Sequence, residues 1–213
     1  MAGGWDSLRL DDVEPIPVVH GALLWKPIRR TLGIEAFGIN AYAAPKAGDD
    51  VVEAHTEESL GHEEVYVVLS GRATFTLGDE TLDAPAGTLV FVRDPTIRRH
   101  ARAEEGGTSV LAIGGPRNAA YEPSAWEDYF AAERHRVAGE YDAYLAELQE
   151  AAAKRPDHPA TLYNLACAEA LVGRSDDAVA HLARALELKP EWAEMAAKDD
   201  DFASIRGVPG SPL

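Results

Sequence analysis

Cysteine is nearly absent. Cys167 is the single thiol in 213 residues, so no internal disulfide can form. Its setting, the alanine-rich stretch YNLACAEALVG, marks it as a small packing residue rather than a nucleophile. No run approaches the roughly 20 apolar residues that a bilayer-crossing helix needs. The opening stretch MAGGWDSLRLDDVE has neither a basic start nor an apolar segment, which argues against a secretory leader and sets the expectation of a cytoplasmic protein. Basic residues are scarce as well: 20 Lys and Arg stand against 36 Asp and Glu, a formal net charge of −16. The deficit runs through both halves of the chain, so neither offers the basic face that nucleic acid or an anionic membrane surface requires. A phosphate-cradling glycine loop, a Cys-x-x-Cys pair and a serine–histidine–aspartate arrangement are all lacking.

What is present divides in two. Up to about residue 115 the chain is a series of short β-branched and aromatic runs: LGIEAFGINAYAA, EEVYVVLSG, RATFTLGDETLDAP, GTLVFVRD and GTSVLAIGG, punctuated by Gly, Pro and Asp. In RATFTLG, Ala73, Phe75 and Leu77 alternate with Thr74 and Thr76, the period-two signature of a strand with one face buried. Gly78-Asp79 reads as a tight hairpin turn. Closely spaced short strands of this kind predict an all-β barrel or sandwich.

Past GGPRNAAYEPS the texture becomes rich in Ala, Glu, Leu and Arg, with Ser124 as a helix N-cap. The boundary is expected near residue 120, giving domains over 1–120 and 121–213. Shifting the second part by 34 residues aligns Gly139 with Gly173, Leu148 with Leu182, Ala151 with Ala185 and Pro156 with Pro190. Glycine permits a tight turn, the small residue lets two helices approach, and proline stops the second helix. The segment PATLYNLACAEALVGRSDDAVAHLARALELKP resembles a tetratricopeptide repeat, with a degenerate copy before it and a capping helix in EWAEMAAKDDDFASIRGVPG. Room for barely two repeats disfavours a long peptide groove, and implies a helical domain for self-association or protein contact.

The strand half resembles the cupin superfamily over roughly residues 35–114. Glu64, six residues and then Gly71 match the end of the first cupin motif, and Pro85-Ala86-Gly87 followed by TLVFV matches the centre of the second. The resemblance implies a jelly-roll barrel. It also implies a mononuclear metal held by two histidines and a glutamate from the first motif and a histidine from the second. Dimerisation through the N-terminal strand region is a further implication.

The ligand positions depart from that pattern. The two first-motif histidine positions fall on Glu58 and Leu60, or on Glu57 and Ser59 for the longer spacing, and the second-motif position falls on Arg98. One alternative set is His55, Glu57, Glu64 and His100, with a loop insertion before Glu64. In another, His62 shares the face of Glu64 and replaces a lost ligand. Imidazole–carboxylate sets of this kind suit one divalent Fe, Mn, Ni or Zn ion. Alternatively Arg98 points into the barrel, pairs with Glu64 and takes a small anion without metal, with Arg93 and Tyr66 as further ligand contacts and Arg99 on the solvent face.

Three functions remain open on this reading. The barrel is a small-molecule module, non-catalytic or weakly metal-binding, with a helical domain for partner contact. Alternatively it is a metal-dependent enzyme of dioxygenase or isomerase type. In the third, the protein is a scaffold acting through its repeat domain.

Overall fold

Residues 6–18 and 22–213 are described by the structure, a computed structural model; the first five residues of the N-terminal stretch lie outside them. The chain forms two units, Met1–Pro123 and Ser124–Leu213.

Among the described residues, the first unit has ten strands, one short α-helix and a 3-10 turn at Leu10–Asp12. The strands and the α-helix run β1 (Ile16–Val18), β2 (Leu23–Lys26), α1 (Ile28–Leu32), β3 (Gly38–Ala44), β4 (Asp50–His55), β5 (His62–Ser70), β6 (Arg72–Leu77), β7 (Glu80–Pro85), β8 (Leu89–Val92), β9 (Arg99–Ala103) and β10 (Thr108–Pro116). Two antiparallel sheets result, a six-stranded one in the order β1-β2-β3-β10-β5-β8 and a four-stranded one in the order β4-β9-β6-β7. Such non-sequential neighbours are the mark of a double-sheet jelly roll. Its core is drawn from both sheets: Tyr66, Val68, Val90, Val92, Val110 and Ala112 from the larger, and Val51, Val52, Ala73, Phe75, Ala84, Ala101 and Ala103 from the smaller. The alternation read in RATFTLG is realised, with Ala73 and Phe75 fully buried. Gly78 and Asp79 form the two-residue link between β6 and β7, where Leu77 faces Glu80 and Gly78 has φ +62°.

Strands β1, β2 and β4 lie outside the runs expected from the sequence. β4 lies between the first and second expected runs, and β1 and β2 precede the first. Glu53 and Ala54 are exposed and β4 is short, so its periodicity is hidden by the irregularity described below.

The second unit holds α2 (Ala125–Ala138), α3 (Tyr141–Lys154), α4 (Pro159–Leu171), α5 (Ser175–Leu188) and α6 (Ala193–Lys198). Gly139, after α2, takes the left-handed conformation at φ +75°, and Gly173, 34 positions later, does so at φ +81°. Arg155 and Lys189, which follow α3 and α5 and precede prolines, have near-identical backbones of φ −138°, ψ 72° and φ −138°, ψ 75°. Leu148, Leu182 and Ala185 are completely buried and Ala151 nearly so, as the 34-residue period requires. Cys167 packs in the same core among Leu162, Ala166 and Leu182, and burial pushes its thiol well above the ordinary range. It is a packing residue.

Candidate functional site

Which side chains enter the barrel is fixed by strand register. Paired residues share a face, so Tyr66, opposite buried Ala112, points inward; Glu64, two residues earlier and opposite Gly114 and Val92, does the same. Gly114 is needed for this. A Cβ there would stand 2.8 Å from Glu64 Cγ and 3.1 Å from the Glu63 carbonyl oxygen. His62, two residues before Glu64, is also buried and stacks on Tyr121 with ring centroids 5.5 Å apart.

On the smaller sheet, β4 is bulged. Val52 pairs with Ala101 but His55 pairs with Arg99, so three residues on β4 span two on β9. The extra residue brings His55 to the inner face that Val52 occupies, where strict alternation would have turned it out. Glu57 follows, and its backbone N–H donates to the Pro95 carbonyl at 2.9 Å.

These elements gather one nitrogen and two carboxylate oxygens, from His55, Glu57 and Glu64, all within 4.8 Å of one another. His55 Nε2 lies 3.6 Å from Glu57 Oε1 and 3.7 Å from Glu64 Oε2. His62 Nδ1 adjoins the far side of Glu57, 3.3 Å from Oε2. The other ring nitrogen of His55, Nδ1, lies 2.7 Å from the Glu53 carbonyl oxygen. A carbonyl can only accept, so Nδ1 carries a proton, and Nε2 is the nitrogen that faces the cluster and offers a lone pair in the neutral ring.

Glu64 is held in turn. The Tyr66 hydroxyl donates to its Oε2 at 2.5 Å, and Arg99 Nη1 lies 3.6 Å from the same oxygen. Burial alone would raise the Glu64 carboxyl, but His55, Tyr66 and the Arg99 charge together bring it below the usual carboxylate range. Burial would lower the His55 imidazole, and Glu64, the Glu53 carbonyl and Glu57 raise it instead. Burial and the Glu64 charge push the Tyr66 phenol well up, so it stays a hydroxyl donor.

Of the residues singled out from sequence, His55, Glu57, His62, Glu64 and Tyr66 therefore converge, combining parts of both ligand alternatives. His100, Arg98 and Arg93 do not. Arg99, Ala101 and Ala103 are the buried, inward members of β9, so His100 lies on the outer face, its Nε2 2.8 Å from Asp50 Oδ1. Arg98, of the same parity, is exposed and donates to the Ala54 carbonyl at 3.1 Å. Arg93 is exposed, with its guanidinium 5.2 Å from the Phe91 ring centre. The expected roles of Arg98 and Arg99 are thus exchanged: a one-residue change of parity moves every side chain of a strand to the other face. Ala101 and Ala103, small residues in phase with Arg99, were the sequence signal for the correct parity.

The fold and this cluster define a class: a cupin-like jelly roll with an imidazole–carboxylate centre, followed by a helical domain of tetratricopeptide type. Residues 140–204 match the family model of the tetratricopeptide repeat. The N-terminal part is similar in structure to cupin proteins. A sugar phosphate isomerase of the cupin superfamily from Silicibacter pomeroyi is 15% identical, with a TM-score of 0.44 over 53% of this chain and 76% of that one. KdgF from Halomonas is 16% identical, with a TM-score of 0.42 over 54% of this chain and 96% of that one. The Streptomyces protein PAC13 with uridine is 17% identical, with a TM-score of 0.38 over 53% of this chain and 83% of that one. No curated protein matches the sequence.

Proposed function

We propose that the barrel is a small-molecule-binding module centred on one divalent metal ion, and that the helical unit serves protein contact or self-association. The observation that carries the metal centre is the convergence of His55 Nε2 with the Glu57 and Glu64 carboxylates inside 4.8 Å. The donor set fits: one imidazole and two carboxylates suit Mn, Fe, Ni or Zn, and His62 beside Glu57 is the residue nearest to completing it.

The chain's own groups support such a centre. Glu53 fixes the His55 tautomer through its carbonyl, and Tyr66 orients the Glu64 carboxylate, the outer-shell pairings that ligands of this kind ordinarily have. With three or four protein donors, His55, Glu57, Glu64 and His62 would leave open positions on a bound ion, which would supply Lewis acidity to a small ligand. The match of residues 140–204 to a tetratricopeptide repeat supports the protein-contact role of the second unit.

Metal analysis of freshly purified protein, repeated after loading with Mn, Fe, Ni and Zn, tests the proposal. About one equivalent is expected to be bound by the wild type and by His100→Ala, whose ring faces outward, and to be lost from Glu64→Gln. Equal metal content in all three proteins, or none in any, overturns it.

A further inference from the structure

Arg99 is a charged side chain on the inward face of β9, in phase with the buried Ala101 and Ala103. It is completely buried, yet only Nη2 makes a hydrogen bond, to the Asp94 carbonyl oxygen at 3.3 Å. Nε and Nη1 are buried without a hydrogen-bond partner; Nη1 stands 3.6 Å from Glu64 Oε2, beyond hydrogen-bond reach. A buried guanidinium with unused donors is costly, and such groups in folded proteins are ordinarily satisfied by something. Here both unused nitrogens are in the interior that also holds His55, Glu57 and Glu64, since Arg99 pairs with His55 across β4 and β9.

We infer that Arg99 is the anion-recognising residue of the barrel, and that its ligand is a small organic carboxylate. The inference rests on the barrel interior being the ligand site proposed above. Charge selects the class: a divalent ion with the Glu57 and Glu64 carboxylates and the Arg99 guanidinium leaves one net positive charge when the imidazoles are neutral. A monoanionic carboxylate balances that charge, whereas a phosphate dianion overshoots it. Carboxylate oxygens also accept the charge-assisted N–H bonds that Arg99 leaves unmade. Arg99 Nη1 faces Glu64 Oε2, the oxygen that also accepts from Tyr66, so one ligand oxygen can meet the guanidinium while another part of the molecule meets the metal centre.

Glycolate and its neutral isostere glycolamide are suitable probes, titrated calorimetrically into the full chain loaded with Zn, with metal content measured on the same samples. Glycolate is expected to bind at millimolar concentration or below, at least about tenfold more tightly than glycolamide. Arg99→Lys, which keeps a buried positive charge opposite Glu64, is expected to lose about tenfold in glycolate affinity, the scale of a lost charge-assisted hydrogen bond, with Zn content unchanged. Arg99→Gln, which keeps a donor without the charge, serves as the second variant should the lysine not fold. Equal binding of the two probes, no glycolate binding, or unchanged affinity in a folded variant overturns the inference. If Zn is not retained but glycolate still binds through Arg99, the inference stands and the metal centre falls. If Zn is retained without carboxylate preference, the reverse holds.

Discussion

Glu64 would be an expensive residue to bury alone, because removing a carboxylate from water costs far more than one hydrogen bond returns. The chain meets that cost with three neighbours, the Tyr66 hydroxyl, the His55 imidazole and the Arg99 guanidinium, and with one absence, the missing side chain at Gly114. Gly114→Ala is the sharpest test of this arrangement. The new Cβ, 2.8 Å from Glu64 Cγ and 3.1 Å from a backbone oxygen, must displace the Glu64 stem. We expect a stability loss of about 1–3 kcal/mol, typical of overpacking, measured by denaturant titration, with metal affinity falling by more than tenfold. Unchanged metal affinity in a folded variant would show that the Glu64 position is not confined by this contact. Glu64 and Tyr66 were legible because they alternate in an unambiguous strand, and His62 with them. Arg99 was not. Two adjacent arginines differ only in parity; the small residues Ala101 and Ala103 in phase with Arg99 were the one sequence signal, and the pairing with β4 and β6 is what fixes which of them faces inward.

At the scale of elements, the two halves differ in how much they disclose. The helical unit repeats its backbone angles as well as its residues, so a 34-residue period in the sequence was enough to place its turns. β4 hides its role because bulges interrupt its pairing between Asp50 and Val52 and again between Val52 and His55. No period-two count leads from Val52 to His55, so the inward turn of that ring depends on tertiary pairing. The α4–α5 pair carries a further consequence. Glu169 is buried in α4, with His181 Nδ1 of α5 2.8 Å from its Oε2, and Asp177 and Arg174 nearby. Burial raises its carboxyl above the ordinary value of 4.5, and the neighbouring His181 only partly opposes this. The folded state then binds this proton more tightly than the unfolded state, so folding is penalised above the raised pKa. The penalty fades as pH falls through it towards 4.5. Glu169→Gln should therefore be as stable as the wild type at pH 7, or more stable by up to about 1 kcal/mol, with the difference closing on acidification. Thermal midpoints of both proteins between pH 5 and 8 measure this. A gap that opens in the wild type's disfavour as pH falls would reverse the assignment.

On the scale of the whole molecule, a net charge of −16 and a completely buried Arg99 inside the barrel set a contrast: the surface repels small anions while the proposed site carries a guanidinium to receive one. Association of a carboxylate should then be slowed by the surface field at low salt and quickened as salt screens it, over a Debye length of about 10 Å at 0.1 M. The division into Met1–Pro123 and Ser124–Leu213 gives each half its own core, and every residue of the proposed metal and carboxylate site lies in the first. The chain truncated after Pro123 should fold alone, retain one metal equivalent and bind glycolate within about threefold of the full protein, the scatter expected between independent sites. Far-UV circular dichroism, metal analysis and calorimetry on the truncated chain check each part. A truncated barrel that folds but loses its metal would mean that the helical unit completes the site, and the assignment of ligand binding to the barrel and protein contact to the helices would have to be given up.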